Sequence, residues 1–325
     1  MKILVVSGFL GAGKTTFIRE MIRQCAIKPV VLENEYGQAA VDAQALSADT
    51  ADVWGLSEGC ICCTKSEDMT NSVLAIENVI GPEFLVIEPS GIAKLGSVLA
   101  SLRRIEYERI TLLRPVVVLD AQSFFRDIKA FPEICEDQVR SAGTLVLSKT
   151  AALASEEAQA IEKNVRALNP DAELLCSAYE KQGRDWWKSL LTNAFSGRLI
   201  EADSTPPPGL ETLTLKACGV ISPAQLICIL NDALRGKFGE IVRAKGTVFA
   251  QNQWVQFDIS GGIARLTGCD GPARAECVWI GFGMARSLLD EAFHDHDGGA
   301  KRWKTSSIVR ESPEKSRISA FKSLS

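Results

Sequence analysis

The residues Gly8-Phe-Leu-Gly-Ala-Gly-Lys-Thr15 satisfy the pattern GxxxxGK[ST], and no other feature limits the fold of this chain so much. A loop of this kind works only where an apolar strand enters it and a helix leaves it. The sequence supplies both, with Lys2-Ile-Leu-Val-Val-Val-Ser7 before it and a helical stretch over 14–25 after it. Glycines at such spacing let successive backbone N–H groups turn inward around phosphate oxygens, and the helix N-terminus adds a favourable dipole. Gly8, Gly11, Ala12 and Gly13 are therefore expected to cradle phosphate. Lys14 would supply a point charge to the outer phosphates, and Thr15 a hydroxyl for Mg²⁺. The glycine spacing is not that of a GxGxxG dinucleotide loop.

The rest of the first 200 residues alternates β-branched runs with helical stretches, which predicts an α/β fold with a doubly wound, mostly parallel sheet. Buried strands are expected at 3–7, 30–33, 84–88, 116–120, 144–148 and 173–176. Helices are expected at 14–25, 68–80 and 155–168 among others, the last opened by Ser155 with Glu156 and Glu157 in its first turn. The nucleotide-binding domain is thus placed at 1–200. A spacer with three consecutive prolines follows at 201–209. Residues 210–295 read as a smaller α+β domain, with a strand at 210–216, a helix at 223–234, several strands within 241–280 and a closing helix at 285–293. Residues 296–325, rich in Lys, Arg and Ser, read as a disordered basic tail.

A second chemical signal ends the strand at 84–88, where Leu85-Val-Ile-Glu-Pro-Ser-Gly91 places Glu88 within reach of Mg²⁺ beside the phosphate loop. Gly91 would offer its N–H to a γ-phosphate and report the loss of that phosphate on hydrolysis. The third signal is Gly59-Cys-Ile-Cys-Cys63, with Cys60, Cys62 and Cys63 clustered enough to suit a thiophilic ion such as Zn²⁺. Burial as small hydrophobes is the plainer alternative, and a redox Cys-x-x-Cys lacks its usual surroundings. The other seven of the ten cysteines stand apart in sequence and read as core or incidental positions. With no export signal in view they are expected to be reduced thiols in the cytoplasm. A net charge of −4 argues against nucleic acid or an anionic membrane as partner.

The phosphate loop, Glu-Pro-Ser-Gly and Gly-Cys-Ile-Cys-Cys, taken in this order, resemble the CobW-like metallochaperone GTPases of the CobW/HypB/UreG class. Further segments look like that family over residues 2–293. They are Glu33-Asn-Glu-Tyr-Gly37 with Val41-Asp42, residues 116–121, Asp137-Gln138, Asn169-Pro170, Val242-Arg-Ala-Lys-Gly246 and Val278-Trp-Ile-Gly281. The resemblance implies a nucleoside-triphosphatase, GTP first and ATP not excluded, slow without a partner since no cis arginine finger is evident. It implies Lys14, Glu88 and Gly91 in catalysis, and Lys14, Thr15, Thr16, Ser148 and Lys149 on the nucleotide. Thr15, Asp42 and Glu88 would serve Mg²⁺. Cys60, Cys62, Cys63 and Glu33 would hold Zn²⁺ (or Co²⁺ or Ni²⁺) for transfer to a client metalloprotein. A homodimer stays open. Two departures matter. The guanine-reading Asn-Lys-x-Asp stands here as Ser148-Lys-Thr-Ala151, so the aspartate is missing. A hydrogen bond to a charged group is worth about 1.5–3 kcal/mol, which places the loss of guanine preference at about 10–150-fold. There is also no long histidine-rich segment, only His294 and His296. An activator of a corrinoid or other cofactor enzyme, and a non-hydrolysing interaction protein, remain alternatives.

Overall fold

The computed structural model describes residues 1–34, 52–55, 66–197, 209–220, 222–250, 253–269 and 275–294. The first layer is an eight-stranded parallel sheet. Its strands are β1 (Lys2–Ser7), β2 (Val30–Asn34), β3 (Asp52–Gly55), β4 (Phe84–Pro89), β5 (Thr111–Leu112), β6 (Val116–Asp120), β7 (Thr144–Ser148) and β8 (Glu173–Leu175). Their order is β3-β2-β4-β1-β6-β7-β8, with β5 paired to β1. Strands β4, β6 and β7 are buried at every position, because helices cover both faces. β8 differs from the expected buried strand. It ends at Leu175 and pairs only with β7, so Glu173 is exposed and its two leucines half-buried.

Helix α1 (Lys14–Cys25) buries Lys14, Phe17, Ile18, Met21 and Ile22, a spacing of three and four that draws one stripe down the helix. That stripe meets Leu4, Val6, Val86 and Val118 on one face of the sheet, with Tyr179 and Trp187 closing the layer. The opposite face is covered by α2 (Ser66–Val79), α3 (Leu95–Arg103), α4 (Phe124–Ala130), α5 (Pro132–Ser141) and α6 (Ser155–Leu168). Asn169 follows α6. Its buried amide donates to the carbonyls of Val139 (2.8 Å) and Ala142 (3.0 Å), satisfying the end of α5. A short α7 (Arg184–Ser189) carries Trp187.

The second sheet has β9 (Leu210–Lys216), β10 (Gly219–Val220), β11 (Glu240–Ala250), β12 (Gln253–Ser260), β13 (Ile263–Cys269) and β14 (Glu276–Phe282). The order is β13-β12-β11-β14-β9 and antiparallel, with β10 added in parallel to β11. Helices α8 (Pro223–Leu234) and α9 (Arg286–His294) pack Leu226, Leu230, Leu289 and Phe293 on Phe257 and Trp279. α8 starts where Ser222 accepts from Gln225 N–H and Pro223 takes the first helical position. Met1–His294 form one compact unit. A separate apolar cluster joins its two sheets: Phe9, Leu10 and Ile92 meet Phe131, Ile134 and Cys135 on one side and Val278 and Ile280 on the other. Phe131 stacks on Phe282 at 5.7 Å. Of the expected spacer, only residue 209 is described, and the tail beyond 294 lies outside the described residues.

Candidate nucleotide and metal site

β1 delivers the chain into the loop Gly8–Thr15 at the carboxyl edge of the sheet, where open α/β folds place ligands. Lys14 is buried and stands 3.9 Å from Glu88, which closes β4 next door. The Thr15 hydroxyl lies 3.0 Å from each oxygen of the Glu88 carboxylate. Glu33 at the end of β2 pairs in register with Glu88 and is equally buried. The Glu88 carboxylate and the Thr15 hydroxyl thus meet beside a lysine, hard oxygen donors of the kind that suit Mg²⁺. Thr16 is exposed on the first turn of α1.

Gly91 packs on the phosphate loop. A Cβ there would stand 2.7 Å from the backbone N of Leu10, so the Glu88–Gly91 turn touches the phosphate loop directly. α5 holds that turn in place. Gln138 donates to the carbonyls of Gly91 (3.2 Å) and Ala93 (3.0 Å), and Asp137 accepts from Gly96 N–H at 3.1 Å, at the start of α3. Burial raises the pKa of Asp137, against the opposing pull of the Gly96 and Leu95 N–H groups and of Lys94. The sequence reading notes Asp137 and Gln138 but gives them no task. Two polar residues on a helix facing the core were the available signal.

Ser148 and Lys149, at the end of β7, are equally bound to the loop. Ser148 donates to Ala12 O at 2.6 Å. Lys149, in the left-handed region at φ 56°, donates to Gly11 O at 2.8 Å and to Asp120 Oδ2 at 2.6 Å. Asp120 also accepts from Gln122 N–H, a partnership that sequence reading missed. Ala151 is exposed on the following turn.

Asp42, Cys60, Cys62 and Cys63 lie outside the described residues. Among the described residues no group of three or more His, Cys, Asp or Glu side chains is gathered to hold a metal ion. The described cysteines are free thiols. Cys218 and Cys277, far apart in sequence, are not isolated: their sulfurs lie 3.1 Å apart in the second core. Burial pushes the Cys135 thiol up to about 12, so it stays protonated. His294 spans Asp290 and the carbonyl of Lys216 at the end of α9. No described helix is long and apolar enough to cross a membrane.

This fold and site define a P-loop nucleotide-binding protein with a second, antiparallel sheet. Residues 2–176 match the family described as CobW/HypB/UreG, nucleotide-binding domain, and the chain belongs to that family. It is 30% identical over 178 residues to the zinc chaperone YjiA of Escherichia coli (strain K12), covering 52% of this chain and 55% of that protein. The zinc chaperone CobW of Sinorhizobium sp is 28% identical over 191 residues, covering 50% of this chain and 54% of its own. The zinc-regulated GTPase metalloprotein activator 1 of Dictyostelium discoideum is 24% identical over 218 residues, 54% of this chain and 46% of its own. The chain spans about half the length of the curated relatives it matches. Among solved structures, Zn(II)-bound YjiA GTPase from E. coli aligns at TM-score 0.44 and 19% identity, over 90% of this chain and 97% of that one.

Proposed function

We propose that this protein hydrolyses a nucleoside triphosphate, GTP in the first place, to control the hand-over of a thiolate-bound transition metal to a client metalloprotein. The observation that carries this reading is the pairing of Glu33 with Glu88. Glu88 sits on Lys14 and Thr15 of the phosphate loop, while Glu33 ends the strand from which the chain runs on toward Cys60, Cys62 and Cys63. The strand that leads on to the metal ligands thereby lies directly beside the strand that serves the phosphate loop. The names of three relatives, two zinc chaperones and a zinc-regulated metalloprotein activator, support zinc as cargo.

In this reading the loop N–H groups and Lys14 bind the outer phosphates and neutralise developing charge. Thr15 and Glu88, with Asp42, would hold Mg²⁺, which when bound stabilises negative charge on the phosphate oxygens. Gly91 follows the γ-phosphate, held by Gln138. Cys60, Cys62 and Cys63, with Glu33, would hold the cargo ion, and the site of action is the cytoplasm.

The test is metal affinity measured by competition with a chromophoric chelator, for Zn²⁺ and Co²⁺, with Mg²⁺ and GTP, GDP or ATP. Coupling between sites is typically about 5–150-fold in affinity, so GTP and GDP should differ by at least the lower figure. Replacing Cys60, Cys62 and Cys63 by Ser should abolish the metal response and leave nucleotide binding intact. Equal metal affinity with every nucleotide overturns the reading.

A further inference from the structure

The second sheet presents an arginine to the phosphate loop. β11 and β14 run in register until a shift between Ile241 and Arg243, where two steps along β11 answer one along β14. A bulge of this kind turns side chains that would otherwise alternate. Ile241 and Ala244 both belong to the core of the second sheet, and Val242 joins the cluster between the sheets. Arg243 faces the same way as Val242. Its cross-strand partner is Ser260, whose neighbour Ile259 points into the core, so Ser260 shares the face of Arg243.

Both residues arrive at Gly11. A Cβ on Gly11 would stand 1.8 Å from Ser260 Oγ and 3.8 Å from an Arg243 guanidinium nitrogen, and the φ of Gly11 is +76°. Only glycine fits a left-handed position so closely covered. The hairpin that carries Ser260 is fastened to the first sheet's helical layer, since Arg126 of α4 donates to Gly261 O. Arg243 is largely buried and has Asp258 at 3.8 Å as its ion partner, at the limit of an ion pair. Phosphate oxygens sit about 3 Å from the loop nitrogens that bind them. The guanidinium therefore stands against the loop itself, and reaching the phosphates requires it to change rotamer and leave Asp258.

We propose that Arg243 is a built-in arginine finger, a catalytic residue that leaves Asp258 and contacts the phosphates of the bound triphosphate across the seam between the sheets. The inference rests on the hydrolytic reading above and names its missing cation. A planar fork of donors suits phosphate better than the point charge of a lysine. It also ties hydrolysis to the docking of the second sheet, because lifting that sheet away removes the finger.

The experiment is single-turnover hydrolysis of GTP with Mg²⁺ by the full chain and by Arg243→Ala and Arg243→Lys, alongside nucleotide affinity and thermal midpoint. An arginine finger contributes about 10³–10⁵ to the rate. The Ala variant should therefore lose about 10³-fold or more, keep GDP affinity, and regain rate in millimolar guanidinium, with Lys in between. GDP with aluminium fluoride should be trapped by the parent chain and not by Arg243→Ala. An unchanged rate per folded molecule, with only the midpoint lowered, makes Arg243 a structural seam and overturns the proposal. Should Arg243→Ala not fold, Arg243→Lys decides by the same trap. Should the parent chain hydrolyse nothing, the hydrolytic reading fails separately. Arg243 is then judged by whether Arg243→Lys or Arg243→Ala weakens GTP relative to GDP, an unchanged ratio sinking it.

Discussion

Lys149 and its neighbours show how a single residue type sets what a site can read. Lys149 spends its charge on Gly11 O and Asp120, so it braces the phosphate loop. Ser148 does the same through Ala12 O. Neither supplies the pair of acceptors that a guanine edge requires, and Ala151, standing where that aspartate would be, is exposed and carries no polar atom. Ala151→Asp should therefore add the charged acceptor without disturbing packing. The expected outcome is a rise in the preference for GTP over ATP by about 10–150-fold, measured as the ratio of dissociation constants. No rise would mean that the base is bound away from this turn. The phosphate loop was legible in the sequence because its pattern is a fixed spacing between a strand and a helix. The role of Asp120 was not, because its partner Lys149 follows a different strand.

At the scale of elements, legibility followed burial on two faces. β4, β6 and β7 read as unbroken apolar runs since helices cover them on both sides. α1 and α6 match their expected spans because amphipathic stripes and clear ends define them. α4 and α5 were given no bounds, although Asp137-Gln138 was matched to a helical position. They are seven and ten residues long, broken at Phe131 with φ −132°, and α5 buries the polar Asp137 and Gln138. These are residues of a working element, which fastens the Gly91 turn to the start of α3. Its charge leaves a measurable trace. Burial holds the Asp137 pKa above its unfolded value of about 3.9, so the folded state binds the proton more tightly than the unfolded chain. The corresponding stability is fully present below that value and is lost as pH rises through the raised pKa. Asp137→Asn keeps an acceptor for Gly96 N–H and removes the titration. The difference in melting temperature between variant and parent should move in the variant's favour from pH 3 toward pH 7 (roughly a carboxylate's range). Movement in the opposite sense would place the stabilising form of Asp137 on the ionised side.

For the whole molecule, the informative surface is the one between the sheets, and sequence could not show it. Apolar residues such as Phe9 and Leu10 inside a phosphate loop look like loop filler until Ile134, Val278 and Ile280 are seen around them. A bulge that turns Val242 and Arg243 to one face has no sequence pattern either. The consequence is mechanical. The loop that grips phosphate is packed on the second sheet through Phe9 and Leu10, and the Gly91 turn joins the same cluster through Ile92. A triphosphate that orders the loop must tighten the seam, and a loosened seam must weaken the loop's grip. Phe282 stacks on Phe131 at the rim of this cluster and belongs to neither the nucleotide site nor a sheet core. Phe282→Ala should cost about 2 kcal/mol, below the range for a fully buried aromatic because Phe282 is only half-buried. Hydrogen exchange gives the decisive reading. In the parent chain, GTP with Mg²⁺ should slow exchange at the amides of β14 as well as at the phosphate loop. In Phe282→Ala the protection of the loop should persist at saturating nucleotide while that of β14 is lost. If β14 amides ignore nucleotide in the parent chain, the two sheets share a contact without sharing a state, and the second sheet has no part in reading the phosphates.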